Sequence, residues 1–245
     1  ENFRISGTSI AIHPDLVQAL ASVKEAAALA NRDLGLLPAA KAEAILAACR
    51  EIRGGALQEW FAVDVLQGGA GTSTHMNANE VIANRALELM GHAKGEYQHL
   101  HPLDDVNMSQ STNDVYPTAI RVAMHIGIAR LLAAMAVLRA AFEGKAAEFA
   151  SLVKIGRTQL QEAVPMTLGQ EFGAFATTLG EDEERLREAA RLITEINLGA
   201  TAIGTGITAP PGYAAAACRH LSALTGVAFA TAPDLIEATS DAGAF

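Results

Sequence analysis

The 245 residues are half hydrophobic, only 5% aromatic and carry a formal net charge of −9, with a pI near 5.2. That balance supports a sizeable core built from close-packed helices, because alanine is abundant and lets backbones approach while favouring helix. It argues against nucleic acid as a partner, since an acidic surface repels phosphate. The two cysteines, Cys49 and Cys218, sit in separate alanine-rich helical runs and are expected to be buried, reduced thiols rather than a disulfide. The most apolar stretch, Val122 to Leu138, is broken by His125 and Arg130, which argues against a membrane span. No signal-peptide pattern opens the sequence, so the expected location is cytoplasmic. Its first residue is Glu1 rather than methionine, which leads to the expectation that the natural start is missing or processed away.

Pro14-Asp15 opens a first helix with Leu16, Leu20, Val23, Ala27 and Ala30 at helical spacing, and Gly35 marks its end. Pro38 opens a second, striped by Ile45, Leu46, Cys49 and Ile52 and ended by Gly54-Gly55. A glycine-rich loop, Gly68-Gly69-Ala70-Gly71, runs into Thr72-Ser73-Thr74, and a helix is predicted from about Asn77 to Met90. The stretch His99 to Pro117 reads as polar and irregular. Pro117 is then predicted to begin a helix reaching Phe149, about 50 Å long at 1.5 Å per residue. Its first two dozen residues are apolar nearly all round, so it must be buried on every side, which points to packing against other subunits. Thr167 and Gln170 form a capping box that opens another long helix, expected to stop near Asn197-Leu198-Gly199. The run Glu181-Asp182-Glu183-Glu184 on it reads as solvated surface, because consecutive carboxylates point all round a helix. A Gly/Thr-rich loop to Pro211, a short helix from Tyr213 to Leu224, and a helix opened by Pro233-Asp234 complete the chain. No strand-rich region is evident.

Three segments are rich in hydroxyl and amide side chains, and each is read as a loop leading into a helix: Thr72-Ser73-Thr74, Ser111-Thr112-Asn113 and Thr158-Gln159. A helix start offers unpaired N–H groups and the positive end of the macrodipole, so short hydroxyl side chains there can hold carboxylate oxygens. Ordinary helix capping accounts for the same residues, and spacing alone does not choose between the two.

The wording of the segments does choose. Gly71-Thr72-Ser73-Thr74-His75-Met76-Asn77-Ala78-Asn79-Glu80-Val81 resembles the first conserved block of the aspartase/fumarase superfamily. His101 to Asp114, with Ser109-Gln110-Ser111-Thr112-Asn113 inside it, resembles the second. Lys154 to Glu171 resembles the run into the central helices. Gln67-Gly68-Gly69-Ala70-Gly71-Thr72, Arg157-Thr158-Gln159-Leu160-Gln161 and Ile236-Glu237-Ala238-Thr239-Ser240-Asp241 are most similar to its aspartase branch. Fumarases usually have serine in place of Ala70 and histidine in place of Gln159.

The resemblance implies a mainly α fold: an N-terminal helical domain over 1–114, its start missing, then a truncated bundle of long helices over 115–245. It implies a homotetrameric lyase that eliminates ammonia from L-aspartate to give fumarate, with neither nucleotide, flavin nor pyridoxal cofactor, although a divalent cation could activate it. Thr72, Ser111 and Thr112 are expected at the β-carboxylate, Asn113 (with Thr72) at the amino group, and Thr158 and Gln159 near the α-carboxylate. The serine base is expected in a glycine-rich loop beyond Phe245, followed by lysine and asparagine ligands, and Ser240 lies in the wrong context to replace it. His101 and Asp104 match a second anion site of fumarases, weakened here by Leu103. Two alternatives stay open, hydration of fumarate to malate and a catalytically silent helical oligomer.

Overall fold

A computed structural model describes residues 5–67 and 69–243, so Gly68 of the glycine-rich loop, Glu1 and Phe245 lie outside the described residues. The fold is mainly α, as expected. It divides into two compact units, residues 1–124 with 193–245, and residues 125–192.

In the first unit the core helix is α1 (Pro14–Asp33), which packs against α2 (Ala39–Arg53) and α6 (Tyr213–Thr225). Val17, Leu20, Val23, Ala27 and Ala30 are wholly enclosed, and full burial of each larger side chain contributes about 1.5–3 kcal/mol. Cys49 and Cys218 are free and buried, as expected. α3 (Thr72–Leu89) lies on α2 and starts five residues before the predicted Asn77. Gly71, in the left-handed region, lets the chain turn directly into it. Thr72, Ser73 and Thr74 therefore form a first helical turn rather than a loop. His99 to Ser111 is less irregular than it reads, since Pro102–Val106 makes one wide helical turn. His101 caps it, its Nδ1 accepting from the N–H groups of Leu103 and Asp104.

Helix α4 (Thr112–Glu148) begins in the first unit and continues into the second. It starts at Thr112, not at the predicted Pro117, which sits inside it. Proline lacks the N–H that would reach the Asn113 carbonyl. Asn197 Nδ2 donates to that carbonyl instead, at 3.0 Å, which is why a proline is tolerated one turn into the helix. The strand pair β3 (Glu195–Ile196) and β4 (Ala230–Thr231) is parallel. α7 (Leu235–Ser240) is capped by Asp234, as the sequence predicts.

In the second unit the remainder of α4 pairs with α5 (Leu168–Leu192) through Phe142, Phe149, Phe172 and Phe175, whose ring centroids are 5.5–6.0 Å apart. A Cβ on Gly169 would stand 2.5 Å from the Ala146 carbonyl, so only glycine permits this approach. Thr167 and Gln170 form the expected capping box, with Gln170 N donating to Thr167 Oγ1 at 3.0 Å and Thr167 N to Gln170 Oε1 at 2.9 Å. α5 ends at Leu192 rather than near Gly199. Glu183 departs from the solvated-surface reading: it is 2% exposed and pairs with Arg139 at 3.0 Å and Arg187 at 3.2 Å. Glu181 and Glu184 in the charge run are exposed and Asp182 is half-buried.

An antiparallel hairpin, β1 (Val153–Thr158) with β2 (Gln161–Thr167), was not foreseen. Its two-residue turn, Gln159-Leu160, holds both residues at positive φ. Such turns usually advertise themselves with Asn-Gly, and here that signal is missing.

Part of α4 is long and apolar enough, by length and composition alone, to cross a membrane. Within one chain much of it is uncovered, and Val137 is 73% exposed.

Candidate functional site

The first unit holds a cleft of about 510 Å³ at the head of α4, lined among others by Thr112, Asn113, Tyr116, Ile203, Ile236 and Ser240. Helix polarity explains the placement, because the first turn of a 37-residue helix presents unpaired N–H groups and a partial positive charge. Ser111 caps that turn, its Oγ accepting from Asn113 N at 3.2 Å. Asn113 Nδ2 donates to the Ala202 carbonyl at 2.6 Å, tying the helix start to the Gly/Thr-rich loop. Thr72 Oγ1 donates to the Gly69 carbonyl at 2.7 Å, which leaves its oxygen lone pairs as acceptors. Gly71 joins the two segments: a Cβ there would fall 2.3 Å from the Tyr116 ring.

Thr112 and Asn113 thus share one cleft, with Ser111 as the cap of the same helix and Thr72 one residue beyond Gly71. Thr158 and Gln159 belong to the second unit, exposed at the tip of the β1–β2 hairpin rather than at a helix start. Ser240, whose sequence context is wrong for the base, nevertheless lines the cleft, and its hydroxyl donates to the Glu237 carbonyl at 3.0 Å.

Behind the cleft lies a polar cluster that sequence reasoning did not single out. Lys24 is completely buried on α1. Its Nζ lies 2.6 Å from His75 Nε2, 2.9 Å from Asn107 Oδ1 and 2.8 Å from Gln110 Oε1. His75 Nδ1 in turn lies 2.7 Å from Thr112 Oγ1. Burial brings the Lys24 amine down to about 7, partly opposed by the charge of Asp114. Burial, reinforced by Lys24, brings His75 down to about 2, so its ring is neutral at any ordinary pH. Asp114, fully enclosed, accepts from the backbone N–H groups of Ser111, Gly199 and Thr201 at 2.9–3.1 Å. Burial pushes it up to about 6 against those hydrogen bonds. One signal was present in the sequence: Lys24 falls four residues after Leu20, on the apolar face of α1, where a charge needs a purpose.

Away from the cleft, His92, Glu96 and His99 bring possible ligand atoms within 4.8 Å of one another. The two rings stack face to face with centroids 3.8 Å apart.

Residues 1–245 match the lyase family. The aspartate ammonia-lyase of Pseudomonas aeruginosa is 62% identical over the whole chain, which covers 52% of that protein. That of Escherichia coli strain K12 is 53% identical, with the same 52% covered. The chain therefore spans about half the length of the curated relatives it matches. A fumarate lyase:delta crystallin from Brucella melitensis, bound to cobalt, superposes with a TM-score of 0.97 at 57% identity, over 99% of this chain and 53% of that one. A class II fumarase from Schistosoma mansoni gives 0.91 at 32% identity, over 97% and 53%. With a hydroxyl and amide cleft at the head of its long helix and a match running from the first residue to the last, the chain belongs to the lyase family, within the aspartase/fumarase superfamily.

Proposed function

We propose that the protein containing these residues eliminates ammonia from L-aspartate, reversibly and with anti geometry, to give fumarate. The observation that carries the reading is the pairing of Thr112 and Asn113 in one cleft at the start of α4, in a chain 62% identical to an aspartate ammonia-lyase. The hard step removes a weakly acidic proton from the carbon beside the β-carboxylate. Its electron pair moves onto that carboxylate as an enediolate, and collapse of the enediolate expels ammonia from the neighbouring carbon. Charge develops on the carboxylate oxygens, so preorganised hydroxyl and N–H donors stabilise it directly. Thr112 and Ser111 are assigned to the β-carboxylate, and Thr72 joins them when its hydroxyl proton turns from the Gly69 carbonyl. Asn113, joined by Thr72 through its free lone pairs, is assigned to the amino group, and Thr158 and Gln159 to the α-carboxylate. The serine base is assigned to the part of the longer relatives that this chain does not span. The chemistry calls for no nucleotide, flavin or pyridoxal group, and a divalent cation enters only as an activator.

In the full-length protein, fumarate absorbance should rise on adding L-aspartate and stay flat with L-malate. The likeness to a class II fumarase favours hydration of fumarate as the second reading, and turnover of malate alone would select it. An intact fold with neither turnover selects the silent oligomer.

We also propose a cytoplasmic homotetramer with α4 at its centre, binding neither nucleic acid nor membrane. The uncovered apolar face beyond His125 supports it, since exposed apolar area of that extent marks an interface. Arg130, within that stretch, favours sister helices over lipid. Light scattering on the full-length protein should return four chain masses, and a stable monomer would rule the arrangement out.

A further inference from the structure

Lys24 is a buried cation with no carboxylate within hydrogen-bond reach in the described contacts, and three acceptor positions surround it. Two of these are fixed. The Asn107 amide group donates to the Gln110 carbonyl at 3.3 Å. The Gln110 amide group donates to the carbonyls of Val106 at 3.1 Å and Met108 at 2.9 Å. Both side-chain oxygens therefore face Lys24 as acceptors, and two of its N–H bonds are committed. The third position faces His75 Nε2, and its direction depends on the lysine. An ammonium has a third N–H to donate, whereas a neutral amine has only a lone pair there.

We infer that Lys24, as an ammonium, is a positioning residue: it holds His75 in the Nδ1–H form, which turns the Thr112 hydroxyl proton outward into the cleft. The steps follow from counting hydrogen bonds, with the Asn107 oxygen, which also lies against the His75 ring, committed to Lys24 as its acceptor. His75 is neutral, so one ring nitrogen carries hydrogen. When Lys24 donates to Nε2, that hydrogen is on Nδ1 and donates to Thr112 Oγ1, leaving the Thr112 O–H free to donate elsewhere. When Lys24 is a neutral amine, Nε2–H donates to it, Nδ1 becomes an acceptor, and the Thr112 proton turns inward. One proton on α1 thus sets whether the cleft offers a donor or a lone pair. This inference rests on the assignment of Thr112 to the β-carboxylate.

The groups that act on Lys24 come from each neighbouring element. Asp114 on α4 favours the ammonium. Burial pushes the Cys49 thiol on α2 well up, so it stays neutral and places no charge beside Lys24. Tyr213 on α6, its phenol also held neutral by burial, faces Asp114. The ammonium is lost as pH rises through about 7, so turnover should carry an alkaline limb there from this group.

Neutron diffraction from the full-length enzyme at about pH 6 reads the arrangement without a variant. Deuterium on His75 Nδ1 and three deuterons on Lys24 Nζ are expected, and deuterium on Nε2 overturns the inference. Lys24→Met should lower kcat roughly tenfold or more, less than the 10²–10³ expected for deleting the donor itself. KM should change less than twofold, and the alkaline limb near pH 7 should disappear. A structural lysine would leave the limb in place, and a limb unchanged in Lys24→Met also overturns the inference. The nuclear positions do not depend on turnover, so failure here is distinct from failure of the aspartate reading, which Thr112→Val tests.

Discussion

Replacing Thr112 by valine in the full-length enzyme should lower kcat by about 10²–10³, roughly 3–4 kcal/mol of transition-state stabilisation, with a smaller rise in KM. Valine keeps the β-branched shape and removes the one hydroxyl at the head of α4 that faces both the cleft and His75. The kcat-weighted loss follows from where charge appears: the bound carboxylate shares one negative charge, whereas the enediolate places two on the same oxygens. The substitution also strips the buried His75 ring of an acceptor, a stability loss of about 1–3 kcal/mol that must be measured alongside. Thr112→Ser restores the hydroxyl and should recover most of the turnover. Thr167→Val is the control, because Thr167 Oγ1 only caps α5 and its removal costs about 1 kcal/mol of stability. If Thr112→Val turned over at a near-normal rate, the hydroxyl would be a cap like that of Thr167 and the carboxylate would have to bind elsewhere.

Asp114→Ala should destabilise the first unit by roughly 3–5 kcal/mol, since each buried N–H left without an acceptor costs about 1–3. The lost carboxylate holds Ser111 N on one oxygen and the N–H groups of Gly199 and Thr201 on the other. It therefore fastens the cap of α4 and the loop bearing Ala202 and Ile203 at once. Hydrogen exchange of the 199–206 amides should accelerate with the fall in stability, and an effect within about 1 kcal/mol of wild type would contradict this role. Asp114→Asn should fall between, because one amide oxygen can replace only one of the two carboxylate oxygens. Its pH dependence has a definite sign. The folded value, about 6, lies above the ordinary 3.8. The associated stability is therefore complete below about pH 4 and lost as pH rises through 6. The advantage of wild type over Asp114→Asn should narrow across that window.

Much of the helical architecture was legible because its cues are local. The proline at the start of α1 removes an N–H that would have no partner there, while the Thr167-Gln170 box and the Asp234 cap satisfy backbone groups within one turn of themselves. Apolar spacing likewise predicted the face Leu16, Leu20, Val23, Ala27 and Ala30, all enclosed except the half-buried Leu16. The site was legible only as wording, through the Thr72, Ser111-Thr112-Asn113 and Thr158-Gln159 segments, because hydroxyls at a helix start look the same whether they cap or bind.

Long-range partners decided the rest. Pro117 reads as a helix start until Asn197, 84 residues from Asn113, supplies the donor that proline lacks. Thr158-Gln159 reads as a lead into a helix until cross-strand pairing of Val153–Thr158 with Gln161–Thr167 makes Gln159-Leu160 a turn with both residues at positive φ. Glu183 reads as solvent-facing until Arg139, 44 residues away, closes over it. Lys24 was not singled out from the sequence at all, because its role exists only once α3 and the 107–110 segment bring three acceptors to its ammonium. A buried charge is stable only where the tertiary fold supplies its partners, and those partners lie 51 to 86 residues along the chain, beyond the reach of any local pattern.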